Sequence, residues 1–296
     1  MLPNTQASVP SAAVRIAFAA NRASGGGLDP EPLAAAMREQ GAEITVCDCD
    51  EAGLEQAAAA RPERLVVAGG DGTIGPVAEL AGRLDVPLGV IPTGTANDFA
   101  RAYGLPTDRL EAAALAAGGE HTRPLELGRL AGGHQFVNVA SAGLASTAAH
   151  RAKPLKPKLG PLAYAVGALR AAVSEHPLRY VVRTDGTEVF AGEAWQTIVA
   201  VTGGFGGGSE IGASDPADGV LDVTVLPAGS RLGLARRAWG LRRGTIADQR
   251  DVCHARGHVI EVDLPPGTEF NVDGEILDDG MQRITVEHEA FELVVG

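Results

Sequence analysis

The stretch from Leu65 to Leu84 constrains the fold more than any other part of the chain. Leu65, Val66, Val67 and Ala68 form an apolar run of the length of a buried strand. It enters Gly69-Gly70-Asp71-Gly72-Thr73 directly. Apolar residues then recur at Val77, Leu80, Ala81 and Leu84, the spacing of a helix over 74–84. The glycines let the backbone turn tightly and bring N–H groups against an anion. The helix start that follows adds a favourable dipole. Asp71 is the odd member, because a carboxylate in a phosphate cradle repels its ligand unless a cation joins the two. Mg²⁺ is the usual choice, so the stretch reads as a site for Mg-nucleotide.

The same grammar recurs on either side. Val14–Ala20 is an apolar strand running into Asn21-Arg22-Ala23-Ser24-Gly25-Gly26-Gly27, with a helix over 32–40 behind it. A strand over 43–47 and a helix over 52–60 follow. Val86–Ile91 is the next strand, leading into Pro92-Thr93-Gly94-Thr95-Ala96-Asn97-Asp98 and another helix. Strands alternating with helices predict an α/β doubly wound parallel sheet. The loops at 21–27, 69–75 and 92–98 then converge at the carboxyl edge, where such sheets bind ligands.

Near residue 123 the pattern changes to short alternating runs separated by turn residues. They are Leu125–Leu130, Gln135–Ala140, Tyr180–Arg183, Glu188–Phe190, Thr197–Val201, Leu221–Leu226, Val259–Leu264, Thr268–Val272 and Arg283–Val295. They predict an antiparallel β-sandwich interrupted by helices over 162–175 and 231–242. The expected organisation is a flexible arm at 1–12, an α/β nucleotide-binding domain at 13–125 and a sandwich domain at 126–296. The last strand is a candidate to pack back on the first domain.

Several classes are excluded or disfavoured. No Gly-x-x-x-x-Gly-Lys-Ser/Thr occurs, and Gly70-x-Gly72-x-x-Gly75 lacks an acid at the end of the next strand to hold a ribose. A net charge of −12 argues against general nucleic-acid binding. No run reaches the ~18 apolar residues of a membrane span, and the start shows no secretory leader. Cys47, Cys49 and Cys253 have no zinc spacing and read as reduced thiols of a cytoplasmic protein.

Several motifs together resemble one known family. Gly69-Gly70-Asp71-Gly72-Thr73 is similar to the signature of the superfamily uniting diacylglycerol kinases, sphingosine kinases and NAD kinases. Pro92-Thr93-Gly94-Thr95-Ala96-Asn97-Asp98-Phe99-Ala100 resembles its lipid kinase branch. Asn138 to Gly143, Leu159 to Tyr164, Asp218 to Val223 and Asn271-Val272-Asp273-Gly274-Glu275 continue the likeness in order. The resemblance implies an ATP-dependent bacterial lipid kinase of the diacylglycerol kinase type, with nucleotide between the α/β domain and the sandwich.

Residue roles follow from the same resemblance. Asn21, Ser24, Gly25, Thr45, Gly69, Gly70, Asp71, Gly72, Thr73, Gly94, Thr95 and Asn97 fall at nucleotide-contacting positions. Asp71, Asp98 and Glu126 fall in the carboxylate network of the catalytic Mg²⁺, partly through water. Asp273 and Glu275 match the motif that supplies the base for the lipid hydroxyl, and either carboxylate remains open for that role. Asp215, Asp218 and Val220 match a structural Mg²⁺ site.

The chain departs from the family at identifiable places. Arg22 stands where the family usually has Pro, Gly75-Pro76 where it has Asn-Glu, and Glu126 where it has Asp; Gly203 to Gly208 replaces a more usual asparagine. Pro76 is tolerable in a first helical turn. Two segments are basic without acids: Arg151, Lys153, Lys156, Lys158 and Arg170, then Arg231, Arg236, Arg237, Arg242 and Arg243. With Trp239 and neighbouring leucines beside them, they predict transient, peripheral contact with an anionic membrane, at about 1 kcal/mol per basic residue. The acceptor lipid, nucleotide preference and oligomeric state have no signature. NAD kinase is the competing enzyme reading, and a nucleotide-binding regulator that has lost catalysis is the reading from another class.

Overall fold

The computed structural model describes residues 13–144, 176–202, 204, 218–278 and 281–296. The helix expected over 162–175 and the basic segment 151–170 lie outside these residues, as do Asp215 and most of 203–208. In the first half, β1 (Arg15–Ala20), β2 (Glu43–Asp48), β3 (Arg64–Gly69) and β4 (Leu88–Pro92) form a parallel sheet in the order β2-β1-β3-β4. α1 (Glu31–Glu39), α2 (Glu51–Ala59) and α3 (Asp71–Leu84) make the crossovers, and the short α4 (Asp98–Ala102) follows β4. Both faces of the sheet are covered, so the strands read as continuous apolar runs rather than alternating ones. Phe18, Val66 and Ile91 pack on one face with α1 and α5 (Arg109–Gly118). Ala17, Leu65, Val67 and Val90 pack on the other with α3. Each fully buried Val, Leu or Ile contributes about 1.5–3 kcal/mol.

Register brings the polar loops together. Ala20 lies opposite both Asp48 and Ala68, and Gly69 lies opposite Pro92. β1, β3 and β4 therefore end at one level, and the loops that follow them meet there.

The second half is the predicted β-sandwich. β5 (His121–Leu130), β6 (Gln135–Phe136), β7 (Val139–Gly143), β8 (Leu178–Thr184), β9 (Thr187–Ala200), β10 (Leu221–Pro227) and β11 (Cys253–Gly257) are followed by β12 (Val259–Asp263), β13 (Glu269–Val272), β14 (Glu275–Asp278) and β15 (Met281–Val295). Tyr180, Phe136 and Phe270 are fully buried in its core. Two expected runs, 188–190 and 197–201, fall on the single strand β9 except for Val201, just past its end. β11 and β14 carry too many polar residues to announce themselves by periodicity.

β15 joins the two halves. It pairs with β12 at its start, runs antiparallel to β5 from Ile284↔Leu130 to Val295↔His121, and meets β4 in parallel at Leu293↔Leu88. β5 thereby straddles the expected boundary at 125/126. α3 locks this arrangement: a Cβ on Gly82 would lie 1.9 Å from the Ala290 carbonyl oxygen. Only a bare Cα allows helix and strand to approach so closely.

Candidate active site

α3 begins at Asp71, three residues earlier than the apolar spacing suggests. Pro76 consequently sits beyond the first turn, which corrects its expected placement, and it removes the helix hydrogen bond that the Gly72 carbonyl would otherwise accept. Gly75 explains why the family's larger side chain is missing. A Cβ there would stand 2.9 Å from the Gln135 carbonyl, so glycine lets α3 press against β6.

The three polar loops touch at the strand ends. The Asn21 side chain donates to Thr73 Oγ1 at 3.1 Å, and Thr93 Oγ1 donates to Ser24 Oγ at 2.9 Å. Gly94 and Gly70 stack backbone on backbone, since a Cβ on Gly94 would lie 2.6 Å from the Gly70 Cα. Gly25 is left-handed at φ 61 and Asn97 at φ 52. Asn97 donates through Nδ2 to the Gly94 carbonyl at 3.2 Å, and its Oδ1 is buried without a partner among the described residues. Thr45 is set apart from this cluster, lying within β2 opposite Ala17, short of the strand end at Asp48.

Asp71 Oδ1 accepts from the Phe99 amide at 2.9 Å and from Asn138 Nδ2 at 3.1 Å. Burial raises its pKa above the ordinary aspartate value, and the nearby Asp98 carboxylate adds to the rise. Asp98 is 8% exposed and pairs with Arg101 at 3.2 Å. Asn138 opens the Asn138–Gly143 motif, and nothing in its local sequence marks it for a role at this site. It is 2% exposed and bridges the two domains, because its Oδ1 accepts from Thr202 Oγ1 at 2.9 Å while its amide holds Asp71.

The two carboxylates of the Asp273-Gly274-Glu275 turn differ sharply. Asp273 and Gly274 have φ of 46 and 95 between β13 and β14, the two-residue hairpin that Asp-Gly favours. The turn is part-exposed, yet the Asp273 carboxylate points inward onto the amides of Val137 at 2.7 Å, Asn138 at 3.1 Å and Val139 at 2.8 Å. Desolvation pushes its pKa up to about 7, against the pull of these amides. Asp273 is thus a clamp that fixes the β6–β7 junction. Glu275 is exposed and sits beside the glycine loop, since a Cβ on Gly72 would lie 3.4 Å from its Oε1.

Of the remaining predicted metal ligands, Glu126, Asp218 and Val220 gather elsewhere. Glu126 is 2% exposed and accepts from the Gly219 amide and shares a 3.1 Å hydrogen bond with His288 Nδ1. Burial raises its pKa. It therefore belongs to the turn carrying Asp218 and Val220. There Asp218 accepts from the Val220 amide at 3.2 Å and is ion-paired with Arg256, which also holds Asp222 at 3.1 Å. Among the described residues, the cation paired with Asp218 is the Arg256 guanidinium. Among the described residues no group of three or more His, Cys, Asp or Glu is placed to hold a metal ion.

The basic helix α6 (Arg231–Arg242) is less free than its sequence suggests. Arg237 is 5% exposed and donates to the Pro227 carbonyl and, at 3.1 Å, to Asp251. Arg236 pairs with the same Asp251. Trp239 is 59% exposed, with the Arg243 guanidinium 4.6 Å from its ring centre.

An α/β domain with glycine loops at its carboxyl edge, closed by a sandwich that delivers an exposed carboxylate to those loops, defines a two-domain nucleotide-binding class. Comparison with known proteins makes this specific. Residues 15–130 match the diacylglycerol kinase catalytic domain, and residues 138–295 match the YegS C-terminal NAD kinase beta sandwich-like domain. The chain belongs to the diacylglycerol kinase catalytic domain family. It is 31% identical to "Diacylglycerol kinase" of Bacillus subtilis over 242 residues, covering 80% of this chain and 79% of that one. It is 33% identical to "Probable lipid kinase YegS-like" of Pseudomonas aeruginosa over 275 residues, covering 88% and 87%. The crystal structure of a diacylglycerol kinase from Bacillus anthracis superposes with a TM-score of 0.75 at 22% identity, covering 95% of this chain and 97% of that one. An NAD kinase from Archaeoglobus fulgidus in complex with ATP gives 0.52 at 16% identity, covering 95% and 93%. These last two establish the shared fold.

Proposed function

We propose that the protein is an ATP-dependent, Mg²⁺-assisted lipid kinase that transfers the γ-phosphoryl group to the hydroxyl of a diacylglycerol-like lipid. The observation that carries this reading is the placement of Glu275, an exposed carboxylate of the sandwich, against Gly72 of the glycine loop. It sets a proton acceptor beside a phosphate cradle. Family membership and relatives named diacylglycerol kinase and lipid kinase support it.

Phosphoryl transfer needs positioning, charge neutralisation and a group to take the hydroxyl proton. The backbone amides of the touching loops hold phosphate oxygens. Asp71 and Asp98 are two buried or nearly buried neighbouring carboxylates, and burial together with the Asp98 charge raises the Asp71 pKa; they form a hard-oxygen donor set that suits Mg²⁺ directly or through water. When bound, that ion screens phosphate charge from the carboxylates. Glu275 accepts the proton as the lipid oxygen bonds to the γ-phosphorus, and the bond to the β–γ bridging oxygen breaks to release ADP. Asp273 holds the hairpin that aims Glu275, and its own lone pairs are occupied by amides.

The protein acts, in this reading, in the cytoplasm with transient contact to anionic membranes. Among the described residues no helix is long and apolar enough to cross a membrane. Trp239 with Arg243 offers an aromatic and a cation for the lipid interface. Trp195 is 5% exposed, so a blue shift on adding anionic vesicles reports Trp239. The decisive assay is a lipid-class extract with radiolabelled ATP and Mg²⁺, with NAD in a parallel arm. Labelled lipid that disappears in Glu275→Gln supports the reading. Labelled NAD would move the protein to the other kinase branch, and nucleotide binding without transfer would make it a regulator.

A further inference from the structure

Arg109, the first residue of α5, lies at the meeting point of the loops after β1 and β4. A Cβ built on Gly25 would fall 2.7 Å from an Arg109 guanidinium nitrogen and 2.7 Å from the Thr93 carbonyl oxygen. The guanidinium therefore lies over the left-handed turn at Gly25, next to the Ser24–Thr93 contact. Its helix is fixed at both ends. Asp108 caps the amides of Leu110 and Glu111 at 3.0 Å, and Arg64 reaches the carbonyls of Ala116, Ala117 and Gly119 at the far end.

Charge accounting gives this position a purpose. The site holds Asp71, Asp98, Asp273 and Glu275, in a chain of net charge −12. Of the arginines bordering the loops, Arg22 is paired with Asp48 at 2.8 Å and Arg101 with Asp98 at 3.2 Å. Arg109 is exposed and pairs with no carboxylate among the described residues. A planar guanidinium held against a glycine turn, with its donors unclaimed by protein acids, is suited to phosphate oxygens.

We infer that Arg109 binds the phosphates of the nucleoside di- or triphosphate in this site. The inference rests on the nucleotide reading of the loops and adds a contact from α5 that no glycine motif announces. It also gives Gly25 a second requirement, since any side chain there would displace the guanidinium.

Calorimetric titration of the full chain with ADP and with adenosine, in the presence of Mg²⁺, tests it. Arg109→Ala is expected to weaken ADP about 10- to 100-fold, the range for loss of charge-assisted hydrogen bonds. Adenosine affinity and the unfolding midpoint are expected to stay at the wild-type values. Arg109→Lys keeps the charge but not the fork and is expected to fall in between; Arg109→Gln serves as a second neutral variant if the alanine form is poorly folded. Unchanged ADP binding in the neutral variants overturns the inference and leaves the nucleotide reading standing. Equal weakening of adenosine and ADP also overturns it, because the arginine would then only support the loop. A wild-type chain that binds no adenine nucleotide removes the reading and the inference together.

Discussion

Replacing Asp273 by alanine separates the two carboxylates of the hairpin turn. The substitution strips acceptors from the amides of Val137, Asn138 and Val139, now bonded at 2.7, 3.1 and 2.8 Å. Each buried amide left without a partner costs about 1–3 kcal/mol. Water reaches a part-exposed turn, so the low end applies to some of them, and a total of about 3–5 kcal/mol is expected. That is a large share of a domain's usual ~5–15 kcal/mol. At about 2–4 °C per kcal/mol for a chain approaching this size, the midpoint falls by roughly 6–20 °C. Asp273→Asn keeps one acceptor oxygen and is expected to lose less. Glu275→Ala, at an exposed position, is expected to stay within about 0.5 kcal/mol of wild type while turnover falls about 10²–10⁴-fold. Urea unfolding and a phosphoryl-transfer assay on the same preparations provide both axes. An alanine variant at 273 as stable as wild type, or a Glu275 variant that is destabilised but fully active, would refute the division of labour.

Other expectations follow from single contacts. Asp71→Asn should abolish turnover with the fold retained. Because burial raises the Asp71 pKa, the folded chain retains a proton that the unfolded chain has lost. Wild-type stability should therefore decline relative to the asparagine variant as pH rises above the ordinary aspartate range, and unfolding at graded pH checks the sign. Gly82→Ala places a methyl against the Ala290 carbonyl; at least the ~1–3 kcal/mol of an overpacked core is expected, seen as a lower unfolding midpoint. Burial pushes the Cys47 thiol up to about 11 and Cys49 to about 12, so both should resist alkylation at pH 8 until the chain is unfolded, as followed by mass spectrometry.

Legibility differed between the halves for a physical reason. The parallel strands announce themselves because helices cover both sheet faces, leaving every residue of Leu65–Ala68 buried. In the sandwich, β11 has an alternating burial pattern over Cys-His-Ala-Arg-Gly and gives no apolar run. Asp273-Gly274-Glu275 stands out in the sequence only through the family resemblance, which leaves the choice between its two acids open. Arg237 reads in the sequence as one of the basic residues of a membrane-facing segment, and the fold buries it against Asp251. Nothing local to 231–242 contains Asp251, so no pattern within that helix could reveal the pair.

Local chemistry alone determined that glycine-rich turns follow apolar strands, that Asp71 stands within one of those turns, and that the first half is α/β and the second β. Backbone freedom and strand burial are properties of neighbouring residues, and neighbours are what a sequence records. Tertiary structure decided the rest: that β15 returns to seal β4, that Asp273 is spent on three amides while Glu275 faces Gly72, that Asn138 spans the domains, and that Arg109 lies over Gly25. These depend on which distant groups arrive at hydrogen-bonding distance, and only the packing of the two halves sets that distance.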